Sequence, residues 1–350
     1  MIQRDVKANI LVTGAAGFIG SYLCEQLLAD FPASQVVGFD VLSYCASKEN
    51  LSEAMKNARF SFVRGDICNE ASVRQALRQY DVRIIVHCAA ESHVDNSFGN
   101  SLHFTEVNVR GTHILLECAK ALHGEGKLVR FLHVSTDEVY GTTEVGDVHC
   151  EQSLLCPTNP YAASKAAAEM YVRAYQKSYG VPTLITRSNN IYGPRQHPEK
   201  VVPRFVQRAL RGFVPRVDGK PGGNERTFLY VTDVARAIST VLAQGVVGET
   251  YNIGSDNKML IAELAAQVVA MANDEYDIGL KQSYVASNTD RPFNDERYRL
   301  DWSKITRLGW APQVEFANGL REIFKWHAAD ASLRHNHWND CEWLPLVNQP

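Results

Sequence analysis

The sequence predicts an α/β fold built on a doubly wound parallel sheet with helices on both faces. Over the first half of the chain, short runs rich in β-branched residues alternate with longer helical patterns. The first run leads into a glycine-rich turn, and a helical pattern follows this turn at once. The second run ends at the acidic residue Asp40. These three observations together predict a ligand site at the carboxyl edge of the sheet.

Hydrophobic periodicity and the breaks between the runs place the elements in order. We predict strands over residues 9–13, 35–39, 60–64, 83–88, 129–134 and 183–187. We predict helices over residues 21–30, 72–79, 104–122, 160–179 and 232–242, and we expect the last of these to return to the main core. Pro160 stands at a favoured position at the start of its helix. After Pro194, loops rich in Pro, Gly and Arg indicate a smaller region that closes over a substrate.

The composition excludes several classes of function. Of the 350 residues, 45% are hydrophobic and 21% are charged, and the formal net charge is −3, as in ordinary globular proteins. No long basic run predicts nucleic-acid binding, no apolar run approaches the roughly 20 residues that span a bilayer, and no signal peptide is visible. The eight cysteines form no Cys-x-x-Cys pair, and the eleven histidines show no metal-ligand spacing. We expect reduced thiols in a cytoplasmic enzyme that holds no metal.

The turn after the first strand has the features of a dinucleotide-binding loop. Gly14, Gly17 and Gly20 have the spacing G-x-x-G-x-x-G, which allows a tight turn and a close backbone approach to a ligand. The next helix begins beside Phe18 and Ile19, and its free N–H groups would face a pyrophosphate. For this motif alone, a purely structural glycine-rich turn is the alternative.

The ends of the following strands complete a predicted NAD site. Asp40 lies 20 residues past Gly20, where an acid would bind the adenosine ribose hydroxyls and repel a 2′-phosphate, which favours NAD over NADP. The third and fourth strands lead into the other predicted contacts with the cofactor: Asp66, Ile67, Ala89, Ala90 and Glu91. For Asp66, a turn or helix cap is the alternative.

Two sets of acid–base residues stand in the middle of the chain. Tyr161 and Lys165 lie one helical turn apart on the same face of a helix. The cation is expected to stabilise the phenolate, so that Tyr161 acts as a base below its free pKa of about 10. Asp137 and Glu138 directly follow a strand that the pattern predicts to be buried; a solvated loop is the alternative. A simple alcohol dehydrogenase has no need for both sets.

Five strings carry a resemblance to a known family: TGAAGFIGS, AAESHVDNS, VSTDEVYG, YAASK and RSNNIYGPRQHPEKVVP. With them, the chain resembles the nucleotide-sugar 4,6-dehydratases, which are extended short-chain dehydrogenase/reductases, over roughly residues 8 to 326. Related 4-epimerases and decarboxylases share the glycine-rich loop and the Tyr-x-x-x-Lys pair but usually lack the Asp-Glu pair. The resemblance implies a Rossmann-type NAD-binding domain over residues 1–190, to which some later segments return. It also implies a smaller, mainly nucleotide-sugar-binding α/β region over 191–326 and a C-terminal tail over 327–350.

The same resemblance implies a role for each acid–base residue. Tyr161 would take the proton of the sugar O4 while C4 is oxidised, with Thr136 hydrogen-bonded to O4 and Lys165 also holding the nicotinamide ribose. Glu138 would then act as the base at C5, and a protonated Asp137 would donate to the departing C6 hydroxyl. Two neighbouring carboxyls in a closed site are expected to have separate pKa values, which suits one to each role. NAD is regenerated and stays a bound cofactor.

Further residues are assigned to the nucleotide sugar by resemblance. Four of them are expected to form a loop on the glucose side: Ser92, His93, Val94 and Asp95. The others are candidate contacts with the sugar or the diphosphate: Asn190, Lys200, Arg226, Asn294, Arg297 and Tyr298. A surface ion pair is the alternative for each arginine, and a structural role is the alternative for His93. We interpret Tyr140 as a packing residue and not as a second base.

The preferred nucleotide is inferred from the string Arg291-Pro292-Phe293-Asn294-Asp295, where bacterial thymidine-linked enzymes tend to carry Gly-His-Asp after the Arg-Pro. This string resembles the eukaryotic UDP-glucose dehydratases more closely, including the dehydratase module of plant rhamnose synthases. UDP-glucose is therefore the expected substrate, and dTDP-glucose is the alternative. A nucleotide-sugar 4-epimerase and a non-catalytic NAD-binding regulator are more distant alternatives. The family also implies a homodimer paired through helices 104–122 and 160–179, although their apolar stripes would equally suit packing on the sheet.

Overall fold

The computed structural model describes residues 2, 4, 7–144, 146–218, 224–287, 292–293 and 295–329. Its strands are numbered in chain order: β1 Asn9–Thr13, β2 Val36–Asp40, β3 Phe60–Arg64, β4 Val82–His87, β5 Arg130–Thr136, β6 Thr183–Ser188, β7 Asn190–Tyr192, β8 Arg216–Asp218, β9 Glu225–Tyr230, β10 Thr250–Ile253, β11 Lys258–Leu260 and β12 Val285–Ser287. Its α-helices are α1 Phe18–Asp30, α2 Ser52–Met55, α3 Glu70–Gln79, α4 Val94–Gly99, α5 Ser101–Phe104, α6 Thr112–Gly124, α7 Pro160–Tyr179, α8 Val201–Leu210, α9 Val231–Gln244, α10 Ile261–Tyr276, α11 Ser303–Thr306 and α12 Phe316–Ala329.

The main sheet is parallel and doubly wound. Its seven strands lie in the order β3-β2-β1-β4-β5-β6-β10, and every neighbouring pair is parallel. Strands β1, β2 and β5 are buried along their whole length, because helices cover both faces and leave no side of the strand in water. The predicted Rossmann-type fold class is confirmed. The order reverses between β1 and β4, so that the ligand crevice of this topology lies at the carboxyl ends of these two strands.

Each face of this sheet has its own apolar core. On one face, α1 packs against α9, and Leu23, Leu27, Ile238 and Val241 belong to the same buried cluster. The return of residues 232–242 to the main core is therefore confirmed. On the other face, α3, α6 and α7 bury their apolar stripes against the sheet. Among the described residues, we find no helix with the length and apolar content needed to cross a bilayer.

A smaller α/β region lies after β6. It contains the three-stranded sheet β11-β9-β7 and the two-stranded sheet β12-β8, with helices α8, α10 and α12 packed into a third core around Phe205, Phe228 and Leu264. Helix α12 runs on to Ala329, past the predicted start of the tail at residue 327. His327 is buried and shares a hydrogen bond with Gln207 at 3.3 Å, which extends the packed body to this residue. Residues 330–350 of the predicted tail lie outside the described part of the chain.

Two helix boundaries differ from the prediction. Helix α1 begins at Phe18, three residues before the predicted start, and includes Gly20. A Cβ atom at Gly20 would lie 2.0 Å from the Gly14 carbonyl oxygen, so this glycine serves close packing inside the helix and does not belong to the turn. The predicted helix 104–122 is not one regular α-helix, because residues Thr105–Gly111 form a π-helical segment between α5 and α6. Such wide turns often lie at functional sites.

Candidate active site

The acid–base residues lie where β5 and β6 end. Thr136 is the last residue of β5, and a 3₁₀ turn over Asp137–Tyr140 follows it. The Thr136 hydroxyl oxygen caps this turn by accepting a hydrogen bond from the Glu138 backbone N–H at 3.3 Å. Helix α7 starts beside the same turn and carries Tyr161 and Lys165 on its buried face. The structure thus brings the two predicted acid–base sets together at one edge of the sheet.

Asp137 is held as a proton donor. Its side chain is buried, its Oδ2 accepts a hydrogen bond from Asn189 Nδ2 at 2.8 Å, and its Oδ1 lies 3.3 Å from the Thr136 hydroxyl. Burial, which is the largest cause, and the neighbouring Glu138 together raise the pKa of Asp137 to about 7, against the lowering effects of Asn189 and Arg226. A substantial fraction of Asp137 is therefore protonated near neutral pH, as acid catalysis requires.

Glu138 is half-buried and points to the start of α7. Its Oε2 accepts a hydrogen bond from Asn159 Nδ2 at 3.1 Å. Its charge acts on Tyr161 and on Tyr298, which places the carboxyl among the phenols of the site. Its greater exposure distinguishes it from the buried Asp137.

The expectation that Lys165 lowers the pKa of Tyr161 is wrong for this arrangement. Burial raises the pKa of Tyr161 above its ordinary value of 10, Glu138 raises it further, and contact with the Thr136 side chain lowers it only in part. The Lys165 ammonium instead donates to the Val134 carbonyl oxygen at 2.7 Å. Burial also lowers the pKa of Lys165 to about 8. Among the described residues, the effects that raise the pKa of Tyr161 thus outweigh those that lower it, which favours the protonated phenol.

The glycine-rich loop has the close approaches of a dinucleotide site. Gly14 has a φ of +69°, and a Cβ atom there would lie 2.7 Å from the Ala89 backbone nitrogen. The loops after β1 and β4 therefore touch backbone to backbone. Gly17 is the N-cap of α1, and no side chain of the described residues caps this helix end. The first N–H groups of α1, at Phe18 and Ile19, are thus available to an anion.

Asp40 is buried at the end of β2 and faces this loop. Its Oδ2 accepts from the Ala16 N–H at 2.9 Å, and its Oδ1 accepts from the Leu42 N–H at 2.7 Å. Burial raises its pKa, although these backbone hydrogen bonds oppose the shift. Asp66 is exposed and accepts a hydrogen bond from the Cys68 N–H at 2.8 Å, which is the geometry of a turn cap. Ile67 is buried.

The π-helical segment holds the loop that follows β4. Asn108 bonds both backbone groups of Glu91, with Glu91 N–H to Oδ1 at 2.8 Å and Nδ2 to the Glu91 carbonyl at 2.9 Å. Its Nδ2 also lies 2.9 Å from the Ser164 hydroxyl on α7. Ala89 and Ala90, which precede Glu91, are half-buried. Asn108 thus ties the predicted nicotinamide side of the site to the helix that carries Tyr161, a role that the sequence analysis missed.

The predicted glucose-side loop meets the segment before α8. The Lys200 ammonium donates to the Ser92 carbonyl oxygen at 2.7 Å and lies 3.9 Å from Glu199. His93 lies 3.9 Å from the same Glu199 carboxylate and 3.8 Å from Asp95, and burial lowers its pKa. Val94 and Asp95 begin helix α4. The structure therefore brings the 92–95 loop and Lys200 together.

The remaining predicted residues come from the smaller region. Asn190 starts β7, beside β9, and the buried Arg226 on β9 is close enough to act on Asp137. The Arg226 guanidinium lies 4.8 Å over the Tyr298 ring and donates to the Asp295 carbonyl at 2.9 Å. Arg297 donates to the Thr143 carbonyl at 3.2 Å and pairs with Glu296. Asn294 lies outside the described residues.

Tyr140 lies in a buried polar network next to the site. Its hydroxyl donates to Asn252 Oδ1 at 2.8 Å and accepts from Arg187, which is paired with Glu169 on α7. These contacts agree with its interpretation as a packing residue. Within the described ranges, no cluster of three or more His, Cys, Asp or Glu side chains has the arrangement of a metal site.

Comparisons with known proteins agree with this geometry. The chain matches the model of the GDP-mannose 4,6 dehydratase family over residues 11–323. It is 44% identical over 321 residues to a trifunctional UDP-glucose 4,6-dehydratase, 3,5-epimerase and reductase of Arabidopsis thaliana, covering 91% of this chain and 47% of that protein. The chain thus spans about half the length of this plant relative.

Two other similar proteins match almost end to end. The dTDP-D-glucose 4,6-dehydratase of Homo sapiens is 40% identical over 334 residues, with 95% of this chain and 93% of that protein covered. The crystal structure of the Streptomyces venezuelae dTDP-glucose 4,6-dehydratase DesIV, solved with NAD bound, superposes with a TM-score of 0.84 at 42% identity over 93% of this chain and 98% of that one. The chain therefore belongs to the GDP-mannose 4,6 dehydratase family.

Proposed function

We propose that this protein is a nucleotide-sugar 4,6-dehydratase that converts UDP-glucose to UDP-4-keto-6-deoxyglucose and water. The observation that carries the proposal is the pairing of a buried, partly protonated Asp137 with the more exposed Glu138, both next to Tyr161. An acid and a base on adjacent residues can remove a proton and a hydroxyl from neighbouring sugar carbons. A 4-epimerase would use Tyr161 but has no task for this pair.

The residues present fit NAD as the bound cofactor. The loop at Gly14 leaves room for backbone but not for a side chain, and the uncapped end of α1 at Gly17 offers N–H groups to a pyrophosphate. Asp40 lies at the end of β2 beside this loop, where its carboxylate can take a ribose hydroxyl. When bound, NAD would supply the reversible oxidation of the sugar, and the positive charge of its oxidised nicotinamide would favour the Tyr161 phenolate.

Tyr161 would remove the O4 proton in the oxidation step. Thr136 contacts the phenol and lies at the end of β5, so it can orient the same oxygen. Lys165 is fixed by the Val134 carbonyl and would present its remaining N–H bonds to the ribose next to the phenol. In this step the chain's own task is to accept one proton and to keep water out of a buried site.

In the elimination, one carboxyl would accept a proton and the other would donate one. Once C4 is a ketone, the C5 proton is acidic, and Glu138 removes it. Asp137 gives its proton to the C6 hydroxyl, which leaves as water, and a C5=C6 double bond forms. When C6 is reduced, Glu138 returns its proton to C5. Tyr161 has then gained one proton and Asp137 has lost one, so a proton must pass from Tyr161 to Asp137, directly or through solvent, before the next turnover.

The nucleotide is the finer part of the proposal. Similar proteins include a UDP-glucose enzyme of Arabidopsis thaliana at 44% identity and a dTDP-glucose enzyme of Homo sapiens at 40%. Uracil and thymine differ by one methyl group, which a pocket distinguishes by only about 1–3 kcal/mol. We expect UDP-glucose to be turned over with the higher kcat/KM, and dTDP-glucose to be a slower substrate.

The test is incubation of the purified protein with UDP-glucose and dTDP-glucose in separate reactions, followed by mass spectrometry. The expected product has lost the mass of one water, without net formation of NADH. A product of unchanged mass that contains galactose would instead identify an epimerase. Turnover of neither sugar would reject these two substrates and lead to tests with other nucleotide sugars, and binding of NAD without turnover of any of them would favour a regulator.

A homodimer in the cytoplasm completes the proposal. Leu102 on α5 is 81% exposed, and Met170 and Tyr171 on the outer side of α7 are also exposed, so apolar side chains are available to a second copy. The described cysteines are free thiols, and Cys24 and Cys118 are buried, as expected in a reducing compartment. Light scattering after gel filtration should give twice the mass of the chain, and Met170→Glu should shift the protein toward monomer.

A further inference from the structure

We infer that Asn159 is a positioning residue that orients Glu138 for proton removal and links this carboxyl to the start of α7, the helix that carries Tyr161. This role rests on the proposed dehydratase function. Asn159 is buried and is the N-cap of α7, two residues before Tyr161. Its side chain joins the turn that carries Glu138 to the helix that carries Tyr161 and Lys165.

The two ends of the Asn159 amide make different hydrogen bonds. Its Oδ1 accepts from the Ala162 N–H at 2.8 Å, which is the usual capping contact. Its Nδ2 donates to Glu138 Oε2 at 3.1 Å. The opposite orientation of the amide would turn an N–H group toward the Ala162 N–H and a carbonyl oxygen toward a carboxylate. The surroundings therefore allow one orientation only.

This double contact is specific to asparagine among the good capping residues. Serine, threonine and aspartate can each accept from the helix N–H. Aspartate has no N–H to offer Glu138, and a serine hydroxyl is a single short group that cannot reach both partners. Because the amide is planar, fixing Oδ1 on the helix also fixes the direction of Nδ2. The start of α7 thus fixes the direction of the hydrogen bond that Glu138 accepts.

The orientation of Glu138 matters because charged and titratable groups surround its carboxylate. Asp137 adjoins Glu138 on the same turn. Tyr161 faces it from α7, and Tyr298 faces it from the segment that precedes α11. Arg226 is the nearby cation that acts on Asp137 and Tyr298. A Glu138 carboxylate that turned toward Tyr298 or Tyr161 would move away from the C5 proton. Misplacement of a reacting group by about 1 Å can cost roughly 100-fold in rate.

The test separates the two contacts of Asn159. Asn159→Ser keeps a capping oxygen and removes the donor to Glu138, and Asn159→Asp keeps the cap and places a second carboxylate beside Glu138. The matched control is Asn69, the N-cap of α3, which accepts from the Ser72 N–H at 3.1 Å at an exposed position. Asn69→Ser and Asn69→Asp repeat the same changes at a cap that has no catalytic carboxyl next to it.

The wild type and the four variants are compared with the nucleotide sugar that the wild type turns over. We expect kcat to fall about 10- to 100-fold in Asn159→Ser, with KM changed less than about threefold because the lost contact is not to the substrate. Reduced cofactor should accumulate during turnover, as seen by its absorbance, because oxidation continues while elimination slows. In Asn159→Asp the acidic limb of the kcat profile should move to higher pH by roughly one unit, since a like charge disfavours the ionised base. The Asn69 variants should show none of these changes.

Three outcomes would overturn the inference while leaving the proposed function intact. One is an unchanged kcat in Asn159→Ser. Another is a loss of kcat without accumulation of reduced cofactor and without a shifted pH profile in Asn159→Asp. The third is a melting temperature that falls more in the Asn159 variants than in the Asn69 variants, by enough to explain the lost activity. Asn159 would then be only a helix cap. Wild-type protein that forms no dehydrated product would reject the proposed function itself, and this role with it.

Discussion

Asn189 donates a hydrogen bond to Oδ2 of Asp137 at 2.8 Å, and both side chains are buried. The amide favours the charged carboxylate, whereas burial favours the neutral acid. Burial is the larger effect, so the pKa of Asp137 rises to about 7. Asn189, one residue past the end of β6, thus holds Asp137 in place and leaves its proton available.

The first prediction concerns stability against pH. Because the pKa of Asp137 is raised from 3.8 to about 7 in the folded state, the folded protein binds this proton more tightly than the unfolded chain. The contribution of Asp137 to stability is therefore fully present below about pH 4 and is lost as pH rises through 7. In Asp137→Asn, the side chain at position 137 carries no charge at any pH. The difference in the free energy of unfolding, wild type minus variant, should fall between pH 4 and 7 and level off above 7, as measured by urea titration.

A flat difference over this range would show that Asp137 ionises as an ordinary aspartate. Activity provides the accompanying readout, because the variant cannot donate a proton. We expect kcat of Asp137→Asn to fall about 100- to 10,000-fold. Glu144→Gln, at an exposed carboxyl outside the site, is the matched control and should leave both quantities unchanged.

The second prediction concerns the glycine of α1. A Cβ atom at Gly20 would lie 2.0 Å from the Gly14 carbonyl oxygen and 2.9 Å from the Ala15 Cα, so the loop must move. Gly20→Ala should weaken NAD binding at least about 10-fold, because the loop backbone lies where a pyrophosphate is expected. The control is Gly124→Ala at the end of α6, where a Cβ atom meets no atom within 4 Å. It should be neutral or slightly stabilising. Calorimetric titration with NAD measures both; equal affinities in the two variants would contradict the prediction.

Local spacing explains what could be predicted from the sequence. The glycine loop, the strand-end Asp40 and the Tyr161–Lys165 pair depend on neighbours a few residues away, and the parallel sheet then brings their strand ends to one edge. Asn159 could also have been found, because an asparagine before a helix-starting proline is a capping signal.

Contacts between distant segments explain what could not be predicted. Asn108 reaches Glu91 and Ser164 only because residues Thr105–Gly111 widen into a π-helical turn, which periodicity does not show. The direction of the Tyr161 pKa shift was wrong for a similar reason. The Tyr-x-x-x-Lys spacing indicates a nearby cation, but the tertiary structure buries the phenol, adds Glu138 from another segment and binds the Lys165 ammonium to β5.

The third prediction concerns the buried ion pair of Arg187 with Glu169. Both side chains are almost inaccessible to solvent, with Arg187 Nε 2.9 Å from Glu169 Oε1. Glu169→Gln should lower the free energy of unfolding by about 3–5 kcal/mol, because it leaves an arginine buried without a counter-charge. The exposed pair of Arg74 with Glu70 is the control, and Glu70→Gln should cost no more than about 1 kcal/mol. Urea unfolding of both variants is the measurement, and equal costs would refute the prediction.

The fourth prediction concerns the π-helical segment and the loop after β4. Asn108 makes two hydrogen bonds to the Glu91 backbone and one to Ser164, and it is 1% exposed. Asn108→Ala would leave the Glu91 N–H and carbonyl without these partners, so the loop over residues 89–91 should open more often. Hydrogen–deuterium exchange should therefore rise in peptides that contain this loop but not in those that contain β1, and NAD affinity should fall about 10-fold. Asn108→Asp keeps an acceptor for the Glu91 N–H and should show a smaller rise. If exchange in the loop is unchanged in Asn108→Ala, the π-helical segment has only a packing role and does not hold the site.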